Sequence, residues 1–305
     1  MLFIISFVSF LAIHVAPNSF FSAGSLNPNM TKEALANLQA IYGLDKPLWQ
    51  QYMDWIINII HFNFGISFVS GQEVSTEILK RIPITLSMNF VSMVIVFVLS
   101  LYLGIQAALA YEKKTDYIIR QFSLLSFSMP SFYLALLFIL LFALKLKLFP
   151  IAGLHSITAK EGIMNYVDMA WHLVLPISVM VFVGLGNMII YIRSLTLEIL
   201  KSDYYNFALS RGLTKKQLLY IYILPNLMPP IVTLLGLSLP ALLGGSVILE
   251  ALFGIEGMGQ LFYMSALSRD YPVIMGTLMI TAFLTLLGNV IADLVLIKLN
   301  PYMQR

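Results

Sequence analysis

The 305-residue sequence contains no cysteine. Disulfides, thiolate metal sites and cysteine nucleophiles are therefore excluded from these residues. Charge is scarce as well: Asp, Glu, Lys and Arg make up 11% of the chain against 59% hydrophobic residues. With a mean hydropathy of +0.86, too little polar surface remains to clothe a water-soluble globule. No glycine is followed by lysine anywhere in the chain. The P-loop that cradles nucleotide phosphates is thus missing from these residues. The net charge of +3 is spread among loops and offers no basic field for nucleic acid. His14, His61, His155 and His172 read as forming no ligand-like cluster at helical spacing, so no metal site is expected.

What the chain does contain is long apolar windows. Spans are expected at about Met1–Ala16, Ile84–Ala110, Phe122–Leu144, His172–Leu197, Leu227–Phe253 and Val273–Leu299, each judged against the roughly 20 residues that cross a hydrocarbon core as a helix. The expected fold class is an all-α integral membrane protein with six transmembrane helices; strong helical windows leave little room for a barrel. The first window rises only about 24 Å at 1.5 Å per residue, and no Lys or Arg precedes Lys32. A true start upstream of Met1 is the expectation, in preference to a secretory signal. Residues 1–83 then hold the first helix and an outside segment, 84–299 a five-helix core, and 300–305 a tail. Within 17–82, a helix-like patch runs from Thr31 to Tyr42, and Trp49, Tyr52 and Trp55 are candidate interface aromatics.

Breakers lie inside the spans: Pro130 in the third, Pro176 in the fourth, and Pro229, Pro230 and Pro240 in the fifth. The fifth also carries Gly236, Ser238, Gly244 and Gly245, small residues that either line a translocation pathway or simply let helices approach. Orientation follows from Lys and Arg in the loops. A cytoplasmic N-terminus puts Lys113, Lys114, Arg120, Arg193, Lys201, Arg211, Lys215, Lys216, Lys298 and Arg305 inside, ten of 18 basic residues. Both termini are expected inside, although Lys80 and Arg81 beside the second span count the other way.

Residues 198–226, between the fourth and fifth spans, are too polar to cross and too patterned for an irregular loop. A helix-competent run through Tyr204, Tyr205, Phe207 and Ala208 precedes Gly212, placed to take a left-handed backbone. Thr214 can cap a second helix, which Pro225 is expected to end. From the residues alone this element is either an amphipathic pair resting on anionic headgroups or a rigid arm docking in a groove of a second protein.

The spacing of Ala208, Gly212, Leu224 and Pro225 resembles the cytoplasmic loop of ABC importer permeases, although Asn206, Phe207 and Tyr222 depart from the general motif. The wider stretch "SDYYNFALSRGLTKKQLLYIYILPNLMPPIVTLLG" is similar to the form this loop takes in the peptide, opine and nickel branch. "YGLDKPLWQQYMDWIINIIHFNFGIS", "SMPSFYLALLF" and "LFGIEGMGQLFYMSALSRDYPVIMG" resemble further segments of that branch, with Glu256 where a proline is usual.

The resemblance implies a type I ABC importer permease, and hence a transport subunit in a bacterial cytoplasmic membrane. Its implied partners are a second permease chain forming a heterodimer, two cytoplasmic ATPases, an extracytoplasmic solute-binding protein and membrane lipid. The implied cargo is small peptides or nickel. No cofactor is expected on this chain, with ATP and Mg belonging to the ATPases. Tyr204, Ala208, Arg211, Gly212, Leu213 and Lys215 are the expected ATPase-coupling group, with Gly212 permitting the turn. An ion-coupled carrier or channel is the alternative, for which Asp293, Glu250, Asn187 and Asn289 would be the intramembrane polar candidates.

Overall fold

The computed structural model describes residues 2–15, 46–156, 162–244 and 247–299. The Thr31–Tyr42 patch, Gly245 and the tail 300–305 lie outside these described residues. All named elements are helical. In chain order they are α1 (Leu2–Val15), α2 (Leu48–Ile60), α3 (Val74–Leu109), α4 (Lys114–Ser128), α5 (Ser131–Phe138), α6 (Ile163–Lys201), α7 (Asp203–Ser210), α8 (Lys215–Gln217), α9 (Leu224–Gly244), α10 (Val247–Leu252), α11 (Met258–Ser268) and α12 (Tyr271–Leu299). Two wide-turn π-helical segments, Ile139–Lys145 and Leu218–Ile223, extend α5 and join α8 to α9.

Among the described residues, Val74–Leu109, Ile163–Lys201, Lys215–Gly236 and Tyr271–Ile291 are each long and apolar enough to cross a membrane. At 1.5 Å per residue, α3 and α6 rise about 54 and 58 Å, well beyond a hydrocarbon core of about 30 Å. They begin earlier than the apolar windows at Ile84 and His172, because polar first turns such as Ser75–Glu77 and Asn165–Asp168 are still helix-competent. Hydropathy marks where lipid lies, not where helices start.

The expected single span Phe122–Leu144 is corrected to a bent pair, Lys114–Ser128 and Ser131–Lys145, meeting at 101°. The cause is local. A residue before proline is driven from helical to extended backbone, and Met129 sits at φ −86° and ψ 124° ahead of Pro130. Pro176 and Pro83, by contrast, are absorbed inside continuous helices.

α3 and α6 pack along much of their length, and α4 lies against both. One core cluster joins Met88, Leu134, Leu173, Val179, Leu249 and Phe253. Another, at the opposite end, joins Ile105, Ile192, Ile199, Ile223, Leu227 and Ile231. α9 pairs with α12, which also carries α1. Tyr52 is not an interface aromatic: it is buried, its hydroxyl 2.9 Å from the Ser6 Oγ, and it receives the rings of Phe3, Phe7 and Phe10 edge-on. Trp49 is exposed. A cavity of about 390 Å³ opens between α2, α3 and α12, with Phe62, Leu79, Met279 and Phe283 among its apolar walls.

Candidate coupling arm

Where α6 ends at Lys201, Ser202 turns extended (φ −73°, ψ 150°) and α7 starts in a new direction. Ala208 is fully buried, the residue by which α7 seats against the end of α6 and the Leu218–Ile223 segment. After α7 the chain reverses. The Arg211 and Gly212 N–H groups donate to Phe207 and Leu209 carbonyls at 3.2 and 3.0 Å, and Gly212 takes φ +76°. That backbone region costs an L-residue about 1–2 kcal/mol. A Cβ at this position would meet no atom within 4 Å, so conformation alone, and not crowding, calls for glycine.

Thr214 caps the second helix of the arm, as its position suggests. Its Oγ1 accepts the Gln217 N–H at 3.4 Å, while the Gln217 Oε1 accepts the Thr214 N–H at 2.9 Å. This reciprocal pair is a capping box. Replacing Thr214 by alanine is expected to cost about 1 kcal/mol locally, read as faster hydrogen–deuterium exchange at the Gln217 amide in the otherwise intact protein.

The expectation that Pro225 ends this second helix is corrected. α8 runs through Leu218–Ile223 directly into α9, so the second half of the arm is the first part of the fifth span. Proline in a helix collides with the carbonyl four residues back. Winding Leu218–Ile223 with i→i+5 bonds displaces that carbonyl, at Ile221, and leaves Pro225 second in α9. The Asn226 side-chain amide donates to the Tyr222 carbonyl at 2.6 Å, satisfying one acceptor of the wide turn.

The arm's outer surface is aromatic and basic. Tyr204, Phe207, Leu209, Tyr220 and Ile221 are exposed. So are Arg211, Gly212, Lys215 and Lys216, with Leu213 half-buried. The Arg211 guanidinium lies 5.8 Å from the Phe207 ring centre. Of the expected coupling group, Ala208 is therefore not displayed; it packs, and its small size sets how closely α7 approaches. Phe207 and Leu209 join the displayed surface in its place.

The arm is rooted in three spans. Tyr205 packs on the cluster of Ile105, Ile192, Ile199, Ile223 and Leu227, contributed by α3, α6, the wide turn and α9. Burial raises its phenol above the ordinary value. Two turns up α6, Arg193 grips Asp116 of α4 with two parallel bonds, Nε to Oδ1 at 2.6 Å and Nη2 to Oδ2 at 2.7 Å. The carboxylate is 2% exposed and also accepts the Glu112 N–H, and the guanidinium lies 5.5 Å from the Tyr111 ring centre. In the sequence Arg193 counts only as a topological charge. A lone arginine in an apolar helix is the available signal that a carboxylate partner must exist.

The pathway candidates are placed less openly. Gly236 is buried within α9, and the Ser238 Oγ donates to the Leu235 carbonyl at 2.8 Å and sits 3.6 Å from the Met93 sulfur. Both pack against neighbours, and Gly244 closes α9. Glu250 is fully buried at the end of the bundle opposite the arm, while Asp293 is exposed on α12. The expectation for histidine spacing is corrected at one place: Asp168 and His172 stand four apart on α6. The His172 Nδ1 and His155 Nδ1 each lie 3.9 Å from the Asp168 carboxylate, which Ser156 holds through its N–H and hydroxyl at 2.7 and 2.6 Å.

Comparison with known proteins bears on this arrangement. Residues 100–305 match the family model described as binding-protein-dependent transport system inner membrane component, and residues 1–89 match its N-terminal counterpart. Relatives include the oligopeptide transport system permease protein AppB of Bacillus subtilis, 32% identical over 298 residues covering 97% of this chain and 93% of the relative. The dipeptide transport system permease protein DppB of Escherichia coli K12 is 29% identical, covering the same shares. In fold, the chain is similar to a chain of the MetNI methionine ABC transporter in an inward-facing crystal form. The TM-score is 0.57 at 19% identity, over 73% of this chain and 96% of that one. The chain therefore belongs to the inner-membrane-component family of binding-protein-dependent transport systems, and is a multi-pass permease with the type I ABC importer fold.

Proposed function

We propose that this chain is one permease of a heterodimer that carries small peptides across a bacterial inner membrane, with both termini cytoplasmic. Two separate ATPase subunits bind ATP with Mg and hydrolyse it, and an extracytoplasmic binding protein delivers the cargo. The peptide cargo rests on the relatives, which are permeases of oligopeptide and dipeptide transport systems. The coupling role rests on one observation: an aromatic and basic surface is displayed on an arm packed onto three spans.

In this reading Tyr204, Phe207, Arg211, Leu213 and Lys215 enter a cleft of one ATPase subunit, Gly212 sets the turn and Ala208 holds α7 to the bundle. A compact apolar face with a charged rim is what groove docking requires. ATPase closure then displaces the ends of α3, α6 and α9 together, because they share the arm's root. A photo-crosslinker placed at Phe207 or Lys215 is expected to capture a nucleotide-hydrolysing chain in membranes. Capture of lipid alone at both positions would instead support an interfacial amphipathic pair and overturn the docking role. Uptake of labelled di- and tripeptides should require ATP and survive collapse of the membrane potential; the reverse pattern favours an ion-coupled carrier.

A further inference from the structure

At the end of the bundle opposite the arm, α11 is fastened at both ends by buried carboxylates. Glu250 of α10 is 0% exposed. Its Oε2 accepts the Gly259 and Gln260 N–H groups at 2.7 and 3.2 Å, and its Oε1 accepts the Thr85 hydroxyl of α3 at 3.0 Å. The Thr85 Oγ1 in turn accepts the Met258 N–H at 2.8 Å. The first three N–H groups of α11 are thus all satisfied by side chains from two other helices, and the carboxylate meets the positive end of the helix dipole. The fit leaves no slack: a Cβ on Gly257 would lie 2.3 Å from the Glu250 Oε2 and 2.5 Å from the Thr85 Oγ1.

The other end of α11 is held as firmly. Arg269 takes a left-handed backbone (φ +57°), which brings Asp270, 2% exposed, back over the chain entering α3. The Asp270 carboxylate accepts the Ser67 hydroxyl at 2.5 Å and the Phe68 and Val69 N–H groups at 3.0 and 3.3 Å. That turn leads at once into α3, where the Val74 N–H donates to the Gly65 carbonyl at 3.0 Å. Between the two carboxylates runs an apolar seam of Val74, Ile78, Met258, Leu261 and Val273.

We infer that Glu250 and Asp270 are positioning residues that lock the start of α3, α10, α11 and the start of α12 into one rigid block. Work entering at the arm then reaches the far end as displacement of the whole block, not as rearrangement of a loop between the last two spans. This rests on the coupling role given to the arm. The rigidity itself does not, and the two are separable.

Because the chain has no cysteine, spin labels at Leu79→Cys and Leu267→Cys, both 66% exposed, report on α3 and α11 alone once any cysteines of the partner subunits are replaced by serine. In the purified complex without nucleotide, a single narrow distance distribution is expected, unchanged when ATP is trapped. Glu250→Ala should broaden or split it. Should Glu250→Ala fail to assemble, Glu250→Gln and Asp270→Asn, which keep an acceptor oxygen, should broaden it less. A broad distribution in the parent, a maximum that moves with nucleotide, or variants that match the parent each overturn the block. With Glu250→Gln, peptide taken up per ATP hydrolysed should fall roughly tenfold, within ordinary coupling energies, at unchanged complex abundance. Parallel loss of uptake and of complex would instead show a merely structural role. If the arm reading alone fails, the nucleotide-free distances and their dependence on Glu250 still stand.

Discussion

Valine at Gly212 is expected to cut coupled uptake by about 5–30-fold while leaving the chain in the membrane. Gly212 sits at φ +76° with nothing within 4 Å of a built Cβ, so the substitution adds backbone strain without a collision. A left-handed L-residue costs about 1–2 kcal/mol, and a β-branched one stands at the unfavourable end. Such an energy shifts a local equilibrium by a factor of about 5–30, enough to re-aim Arg211 and Lys215. It is far too little to unfold a bundle held by the packing of α3, α6 and α9. Peptide uptake and ATP hydrolysis, measured together on reconstituted complex, should separate: hydrolysis persists while uptake falls. Asparagine, which tolerates left-handed backbone, should retain much more activity than valine. Ordinary uptake by the valine variant would remove the arm from the mechanism.

Arg193→Met is expected to be the most destabilising single change at the arm's root. The guanidinium makes two bonds of 2.6 and 2.7 Å to a carboxylate that is 2% exposed. Methionine removes the cation and leaves Asp116 buried without its main partner, a situation that costs about 3–5 kcal/mol. Thermal unfolding of the purified complex should show the loss as a lower midpoint and reduced membrane abundance. Adding Asp116→Leu removes the stranded charge, and replacing both members of a buried pair by apolar groups is often close to neutral. The double variant should therefore recover most of the stability. If it is no more stable than Arg193→Met, the pair is not the energetic unit that its geometry indicates.

Features whose causes are local are legible in the sequence. The glycine turn at Gly212 and the cap at Thr214 depend on neighbours within a few residues, and both stand where the pattern puts them. Pro130 is legible as a breaker but not as a 101° bend, because an angle needs the partners that hold each half. Pro225 carries its usual meaning as a helix stop, which the wide turn before it cancels. The Asp116–Arg193 pair spans 77 positions and Thr85–Glu250 spans 165, so no periodicity connects either. Glu250 consequently looks like a polar candidate inside a span, when its carboxylate is consumed in fastening helices. Asp168 and His172 are different: their four-residue spacing is in plain view.

The wide turn at Leu218–Ile223 also bears on how the fifth span can move. Each i→i+5 turn stores one residue more than an ordinary helical turn holds. Passing that surplus along the chain exchanges one backbone bond for the next and turns each residue it passes by about 100° about the axis, since 3.6 residues complete a turn. The stretch of the fifth span that the surplus crosses thereby has a route to present a different flank to whatever lies beside it, a route limited by Pro225, Pro229 and Pro230, which have no N–H to exchange. In the docking reading, a push at Lys215 then acts on the start of this span as a local twist of its flank.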